Sequence, residues 1–327
     1  MVGCPRRIAL AAAGLLILTQ GAAPQSWPSR PMTMVVPFAP GGGADVMGRI
    51  LAARMSEVLG QQVIVENAGG AGGMSGAYRV AKAAPDGYQF VLGTNGTHAQ
   101  NQSLYKSPLY NAATDFTPVA LIGEQPIALL TRKDLPADNL PEFIAYAKAN
   151  QASMKYGSAG TGSAVQLSCV LLNAANGLSI THVPYRGSAP ATQDLIAGRI
   201  DYQCANLAPV LSQVEAHLIK TLAVLSGHRS ALMPELATAD EQGLTGFEAI
   251  LWYGLFLPKD TPRAIVEKLN AAVVATMNTP AVQERMKQIG AELITPERRS
   301  SEYLGEFVVK EIAKWAGPIK ASGVTAD

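Results

Sequence analysis

The chain has 327 residues, of which 48% are hydrophobic and 16% are charged, and its formal net charge is +1. This length suits one large domain or two ordinary ones, and the hydrophobic fraction excludes an intrinsically disordered chain. The balance of charge excludes a nucleic-acid-binding protein, which needs a basic surface, and three cysteines are too few for a disulfide scaffold.

Residues 1–26 have the layout of a secretory signal peptide. Arg6 and Arg7 precede an apolar run over 8–18, and small residues follow at 21–23. The run is shorter than the roughly 20 residues that a membrane-spanning helix needs. An uncleaved anchor or a buried helix is the alternative; we expect cleavage and a soluble, exported protein. Cleavage after residue 26 removes two arginines and no acidic residue, which leaves 24 basic against 25 acidic residues.

Strands and helices alternate after residue 30. A strand over 33–38 ends at the glycines 41–43, and Asp45 is expected to cap the helix that follows. A strand at 62–66, a helix at 75–84 and a strand at 88–94 come next. Residues 95–118 are polar and rich in turn-forming residues. This alternation predicts α/β layers around a largely parallel sheet.

A second α/β cycle begins after Gly123, which separates strands predicted at 119–122 and 127–131. Asn139 followed by Glu142 predicts the start of a helix that runs to Asn150. Further strands are predicted at 155–158, 181–184, 200–205, 221–225 and 247–257, with helices at 163–176 and 190–197 and three more beginning near Pro262, Pro280 and Ser300. We therefore expect two α/β lobes, one formed by 27–123 with 247–327 and the other by 124–246, joined by a hinge.

Three loops share the order strand end, glycine-rich turn, helix start. They lie at 37–45, 157–163 and 183–190. Helix N-termini carry free N–H groups and a partial positive charge, so they favour anions, and Arg186 adds a cation suited to a carboxylate. Each loop alone is typical of an ordinary turn between a strand and a helix. Three such loops in two lobes predict a cleft for a small anion.

The motifs of nucleotide-binding and catalytic sites are absent from the sequence. It contains no phosphate-binding G-x-x-x-x-G-K-[ST], no G-x-G-x-x-G after a strand and no G-x-S-x-G. The four histidines, His98, His182, His217 and His228, lack the spacing of metal ligands, so we expect neither a metal nor another cofactor. An exported hydrolase that uses Ser158 or Ser163 is the rival interpretation, and it needs a base close to the serine.

Two cysteines, Cys169 and Cys204, remain after removal of the signal peptide. An exported protein can form a disulfide from such a pair. Two buried free thiols are an equal alternative, because cysteine also packs as a small hydrophobic residue. The sequence leaves both states open.

Several motifs, in order, resemble those of one family. They are P-F-A-P-G-G-G-A-D (37–45), V-E-N-A-G-G-A-G-G (65–73), A-A-P-D-G-Y (83–88), G-S-A-G-T-G-S (157–163), V-P-Y-R-G-S-A-P-A (183–191) and D-L-I-A-G-R-I-D (194–201). Together they resemble the Bug receptors, the periplasmic substrate-binding proteins of tripartite tricarboxylate transporters, from about Trp27 to the C-terminus. The resemblance implies a two-lobed α/β fold of the type II periplasmic-binding-protein kind, in which each lobe is a mixed sheet flanked by helices.

The resemblance also implies a function without chemistry. A monomer in the periplasm would hold a di-, tri- or aromatic carboxylate between its lobes and deliver it to membrane subunits; a ligand sensor for a membrane kinase is the other interpretation. The implied ligand-binding residues are Phe38, Ala39, Gly41, Gly42, Asp45, Thr94 and Asn95 from the first lobe and Ser158, Gly160, Thr161, Gly162, Ser163, Gln166, Arg186 and Asn206 from the second. Gln166 replaces a histidine that is frequent in the family, and Gln203 and Cys204 replace aromatic or apolar residues, so the ligand's identity stays open.

Overall fold

A computed structural model describes Met1 and residues 27–326, and the predicted signal peptide lies outside the described residues except for Met1. The strands are β1 Met32–Val36, β2 Val63–Asn67, β3 Gln89–Thr94, β4 Phe116–Arg132, β5 Lys155–Ser158, β6 Thr181–Pro184, β7 Tyr202–Asn206, β8 Ile219–Val224, β9 Ile250–Pro258 and β10 Glu292–Leu293. They pair in the order β2-β1-β3-β9-β4-β7-β5-β6, and β8 and β10 also pair with β4. Parallel and antiparallel pairs both occur, so each lobe has a mixed sheet.

Helices cover both lobes. The first lobe carries α1 Gly43–Leu59, α2 Met74–Ala81, α3 Asn101–Leu104, α8 Arg263–Met277, α9 Pro280–Gln288 and α10 Ser301–Ala321, and the second carries α4 Leu140–Asn150, α5 Ala164–Ala175, α6 Ser188–Ile196 and α7 Leu211–Glu215. The predicted cap of α4 is confirmed, because the Asn139 side chain accepts a hydrogen bond from the Glu142 N–H at 2.9 Å. No helix within residues 27–326 has the length and apolar character needed to cross a bilayer.

Strand β4 runs through both lobes. Its first part, from Phe116 to Pro126, pairs with β9, and its last part, from Ile127 to Arg132, pairs with β7 and β8. The prediction of two separate strands around Gly123 is wrong, because the ladder to β9 continues past that residue with irregular register. A hinge motion would therefore bend β4 and the chain entering β9. The lobe boundaries at 123/124 and 246/247 stay a prediction.

Two local predictions are wrong. Helix α1 begins at Gly43 with Gly42 as its N-cap, so Asp45 lies inside the first turn and is not the cap. The turn-rich stretch also contains a π-helix, Gly96–Gln100, followed by α3. All five residues of the π-helix are buried. Tertiary packing therefore overrides the local preference of these polar residues for turns.

His98 provides a test of this packing by pH. Its ring is fully buried and stacks on Phe256 with 3.8 Å between centroids, and burial lowers its pKa to about 3. The unfolded chain binds a proton near pH 6.5 and the folded chain does not, so stability is lost as the pH falls from about 6.5 towards 3. Urea unfolding should show that the free energy of unfolding falls by about 2–3 kcal/mol more in the wild type than in His98→Gln between pH 6.5 and 4.5. Equal losses would show that this histidine is not buried in its neutral form.

Candidate functional site

A cavity lies where the two lobes meet, and we call it the main cavity. Its volume is about 30 Å³. It is lined by Phe38, Gly42, Gly43, Ala44, Thr94, Ala159, Ser163, Ala164, Val165, Ser188, Asn206, Leu251 and Tyr253. The carboxyl ends of β1, β3, β5 and β7 lead to this place, as expected for the ligand-binding edge of open α/β sheets.

Three helix N-termini converge on the main cavity. Helix α1 begins there at Gly43, α5 at Ala164 after its N-cap Ser163, and α6 at Ser188. The first backbone N–H groups of a helix have no acceptor within the helix, and the helix dipole makes this end positive. The three predicted loops therefore bring donors to one point from both lobes.

No charged side chain is among the described residues that line the main cavity. Most of the wall is apolar, and the polar side chains are those of Thr94, Ser163, Ser188, Asn206 and Tyr253. Asn206 is 5% exposed, and its Nδ2 is buried with no hydrogen-bond partner within the described part of the chain. A buried donor without a partner destabilises a protein unless a ligand or water fills the site. The arrangement therefore suits a small anion held by neutral donors.

Asp45 shapes the glycine loop from behind the cavity wall. Its carboxylate accepts hydrogen bonds from the Gly41 N–H at 3.0 Å, from Asn67 at 2.9 Å and from Arg49 at 3.1 Å. Burial opposes ionisation, but these three donors hold the pKa of Asp45 below its ordinary value. The Asp45 carboxylate thus stabilises the conformation of the loop through hydrogen bonds and does not line the main cavity.

The two lobes touch around the cavity. The Ala39 N–H donates to the carbonyl oxygen of Arg186 at 2.9 Å, and the Tyr105 hydroxyl donates to the carbonyl oxygen of Thr161 at 2.9 Å. A Cβ placed on Gly72 would lie 2.1 Å from that same Thr161 oxygen. The lobes are therefore closed, with backbone in contact with backbone.

The predicted site residues fall into three groups. Phe38, Gly42, Thr94, Ser163 and Asn206 line the main cavity, and Gly41 lines an adjoining one. Ala39, Gly160, Thr161, Gly162 and Arg186 lie at the seam between the lobes. Asp45, Asn95, Ser158 and Gln166 are buried near the site without lining the main cavity: Gln166 accepts from the Gly162 N–H, and Asn95 donates to the carbonyl oxygen of Ile250.

Eight residues that line the main cavity are absent from the predicted ligand-binding set: Gly43, Ala44, Ala159, Ala164, Val165, Ser188, Leu251 and Tyr253. Leu251 and Tyr253 come from β9, which packs between β3 and β4, and Ser188 begins α6. The apolar segment around β9 predicted a buried strand and carried no sign of a ligand site. Ser188 had a usable signal, because it follows Gly187 in the third predicted loop.

The serine of the rival hydrolase has a histidine beside it. Ser158 Oγ lies 2.7 Å from His182 Nε2 and also accepts a hydrogen bond from the Gly160 N–H at 3.0 Å. Burial lowers the pKa of His182 to about 4, which makes its ring a weak base at neutral pH. Ser158 is 1% exposed and does not line the main cavity, so the pair fixes the loop and the serine hydroxyl does not face that cavity.

Cys169 and Cys204 form a disulfide that connects α5 to β7. Both residues lie within 124–246, the range that the sequence predicts for the second lobe. The two bridged elements also carry Ala164 and Asn206 to the main cavity. Within the described residues, no group of three or more His, Cys, Asp or Glu side chains is placed to hold a metal ion.

Arg186 gives a direct test of how charge is recognised. The residue is exposed and lines neither the main nor the adjoining cavity, and its contact with Ala39 uses the backbone carbonyl. Replacing it by alanine keeps that carbonyl, so Arg186→Ala should leave the dissociation constant for a carboxylate within about twofold. Isothermal titration checks this result. A loss of about tenfold or more, as expected for removal of a charged hydrogen bond, would place the guanidinium on the ligand.

The solved structures that are similar to this chain include the following three. The periplasmic binding protein BugD has 39% sequence identity and a TM-score of 0.89, covering 92% of this chain and 100% of its own. MatC from Rhodopseudomonas palustris, solved with bound malate, has 39% identity and a TM-score of 0.87, covering 90% and 100%. A further R. palustris protein, solved with adipate, has 37% identity and a TM-score of 0.86, covering 91% and 99%. The likeness confirms the predicted two-lobed periplasmic-binding-protein fold.

A comparison of the sequence with family models agrees with these structural similarities. Residues 47–324 match the family model described as the tripartite tricarboxylate transporter family receptor. The match spans both lobes and includes the three C-terminal helices α8, α9 and α10. This chain therefore belongs to the tripartite tricarboxylate transporter receptor family, and its predicted likeness to the Bug receptors is confirmed.

Proposed function

We propose that this protein captures a small carboxylate between its lobes and delivers it to the membrane subunits of a tripartite tricarboxylate transporter. One observation carries the proposal: three helix N-termini converge on a cavity that has no charged side chain in its wall. Free N–H groups and helix dipoles hold an anion without a counter-ion. The malate and adipate bound by the two R. palustris proteins belong to the same chemical class.

Closure would couple capture to delivery. The first lobe offers the N–H groups of α1 and the second those of α5 and α6, so a carboxylate contacts both lobes only when they are closed. A ligand that binds the closed form more tightly shifts the balance between open and closed forms towards closure. The membrane subunits could then distinguish the loaded receptor from the empty one.

Isothermal titration with succinate, malate, citrate and benzoate tests the capture step, with succinamide as an uncharged control. At least one acid should bind, and it should raise the melting temperature, because a ligand that binds only the folded state stabilises it. Absence of both heat and stabilisation for every acid would refute the proposal. Co-purification with transporter subunits, compared with sensor kinases, tests the delivery step.

A hydrolytic role finds less support. The Ser158–His182 pair is the observation in its favour, but the serine is buried away from the cavity and the histidine is a weak base. We expect Ser158→Ala to bind the same acid as the wild type, with no turnover of its esters by either protein. Ester hydrolysis that disappears in Ser158→Ala would reverse this assignment.

A further inference from the structure

Asn101 lies at the seam between the lobes without lining a cavity that could hold the ligand. It is the first residue of α3, directly after the π-helix, and it is 0% exposed. Its Oδ1 lies 2.3 Å from the position that a Cβ on Gly162 would occupy, so the amide faces the glycine loop of the second lobe. Asn101 lines neither the main cavity nor the adjoining one. A ligand held in those cavities therefore does not reach this amide.

Both polar atoms of the Asn101 side chain are buried without a partner. Neither its Nδ2 nor its Oδ1 has a hydrogen-bond partner within residues 27–326. An asparagine amide offers two N–H donors and two acceptor lone pairs. Leaving a buried donor or acceptor unpaired costs about 1–3 kcal/mol, whereas water satisfies the same group when it is exposed. The closed protein therefore contains a destabilising group at its seam.

The loop that faces Asn101 satisfies its own hydrogen bonds. The Gly162 N–H donates to the Gln166 side chain at 3.2 Å, within the second lobe. The contact across the seam at this point is made by another residue of the first lobe, because the Tyr105 hydroxyl donates to the carbonyl oxygen of Thr161 at 2.9 Å. The nearest donor of the loop is thus already engaged, and the Asn101 amide packs against the loop without bonding to it.

Separation of the lobes would expose this amide to water. Asn101 belongs to the first lobe and Gly162 to the second, so a hinge motion moves the loop away from the amide. The unfavourable burial then applies to the closed form alone. The apparent dissociation constant of a receptor rises as its binding-competent form becomes less populated. A group that destabilises only the closed form therefore weakens binding without touching the ligand.

We propose that Asn101 limits the affinity of the receptor by destabilising its closed form, and that it thereby speeds the release of a captured ligand. The residue acts on the balance between open and closed forms. This inference rests on the proposed function, because it takes closure to be the step that holds the ligand. A receptor that must deliver its ligand benefits from such a residue, since a more stable closed form would open more slowly.

Asn101→Leu tests the inference. Leucine has the branched shape of asparagine without its polar atoms, so closure of the variant buries no unpaired amide. The dissociation constant of the acid that binds most tightly among succinate, malate, citrate and benzoate should fall about tenfold, which corresponds to about 1.4 kcal/mol. Isothermal titration measures this change. Loss of the radiolabelled acid during a chase with unlabelled acid should also be slower than from the wild type.

Thr276→Val provides a matched control. Thr276 is 0% exposed on α8, and its Oγ1 also lacks a hydrogen-bond partner in the described part of the chain. Helix α8 belongs to the first lobe and packs on α1 and α9 of the same lobe. Removal of this hydroxyl should raise the melting temperature, because the group is buried in the open and closed forms alike. The dissociation constant should stay within about twofold of the wild-type value.

Asn101→Ala separates the loss of polarity from crowding by the larger leucine. It removes the same amide and cannot press on Gly162, but it leaves a void, so its dissociation constant should fall less, by about threefold. If neither folded variant binds more tightly than the wild type, the inference is wrong, even where the melting temperature rises. That result would mean that Asn101 is equally buried in the open form, as Thr276 is.

Failure of this inference is distinguishable from failure of the proposed function. If the acids bind and the Asn101 variants bind them like the wild type, capture stands and the inference alone is refuted. If no acid binds to any of the proteins, the proposed function fails, and small-angle scattering without ligand decides the role of Asn101. Asn101→Leu should then be more compact than the wild type, and equal dimensions would refute the inference.

Discussion

Gly72→Ala should abolish tight ligand binding while leaving both lobes folded. Gly72 belongs to the first lobe, but the three atoms nearest to an added Cβ would all be backbone atoms of the second: Thr161 O at 2.1 Å, Ser163 N at 2.6 Å and Gly162 C at 2.7 Å. Real Cβ atoms essentially never approach another atom this closely, and no side chain there can move aside. The closed form becomes inaccessible, and the dissociation constant for the captured acid should rise about 100-fold or more, or about 2.7 kcal/mol.

A matched control separates closure from backbone strain. Gly60, which ends α1, has a φ of 67° against 59° for Gly72, and a Cβ there would meet nothing within 4 Å. Alanine in this left-handed conformation costs about 1 kcal/mol at either position. Gly60→Ala should therefore lose a similar amount of stability and keep its affinity. Small-angle scattering should show that the wild type becomes more compact when ligand is added and that Gly72→Ala does not. Tight binding by Gly72→Ala would contradict the prediction, because it would mean that the lobes hold the ligand without this close contact.

The sequence predicted the parts of the site that depend on local geometry. The order strand end, glycine turn, helix start identified all three loops, since a helix N-terminus is recognisable from a few adjacent residues. The α4 cap was predictable for the same reason: Asn139 and Glu142 are three residues apart. Local signals of this kind do not depend on how the lobes pack.

The features of the site that the sequence did not reveal depend on contacts between residues that are distant along the chain. Tyr253 reaches the main cavity because β9 pairs with both β3 and β4, and a run of apolar residues gives no hint of that position. Arg186 is predicted to face a carboxylate because of its residue type; in the structure its backbone carbonyl accepts a hydrogen bond at the seam, and a role for its side chain in ligand binding stays a prediction. Residue type indicates which chemistry is available, whereas the direction of a side chain depends on the assembled fold.

Reduction of the Cys169–Cys204 disulfide should lower the free energy of unfolding substantially without removing any side chain from the folded protein. The bridge spans 35 residues of sequence and restricts the unfolded chain, which is worth about 2–4 kcal/mol. Guanidinium unfolding of the mature protein with and without a phosphine reductant should show this difference as a lower midpoint for the second lobe. Mass spectrometry of alkylated protein confirms that both thiols have formed.

The double variant Cys169→Ala/Cys204→Ala distinguishes the bridge from other effects of the reductant. Both cysteines are at most 1% exposed, so the variant also loses some packing and should be less stable than the oxidised wild type. Its unfolding should not respond to the reductant, because no disulfide remains. A fully reduced wild type that unfolds at the same midpoint as the oxidised one would contradict the prediction, and it would mean that the packing of α5 on β7 holds Ala164 and Asn206 in place without the bridge.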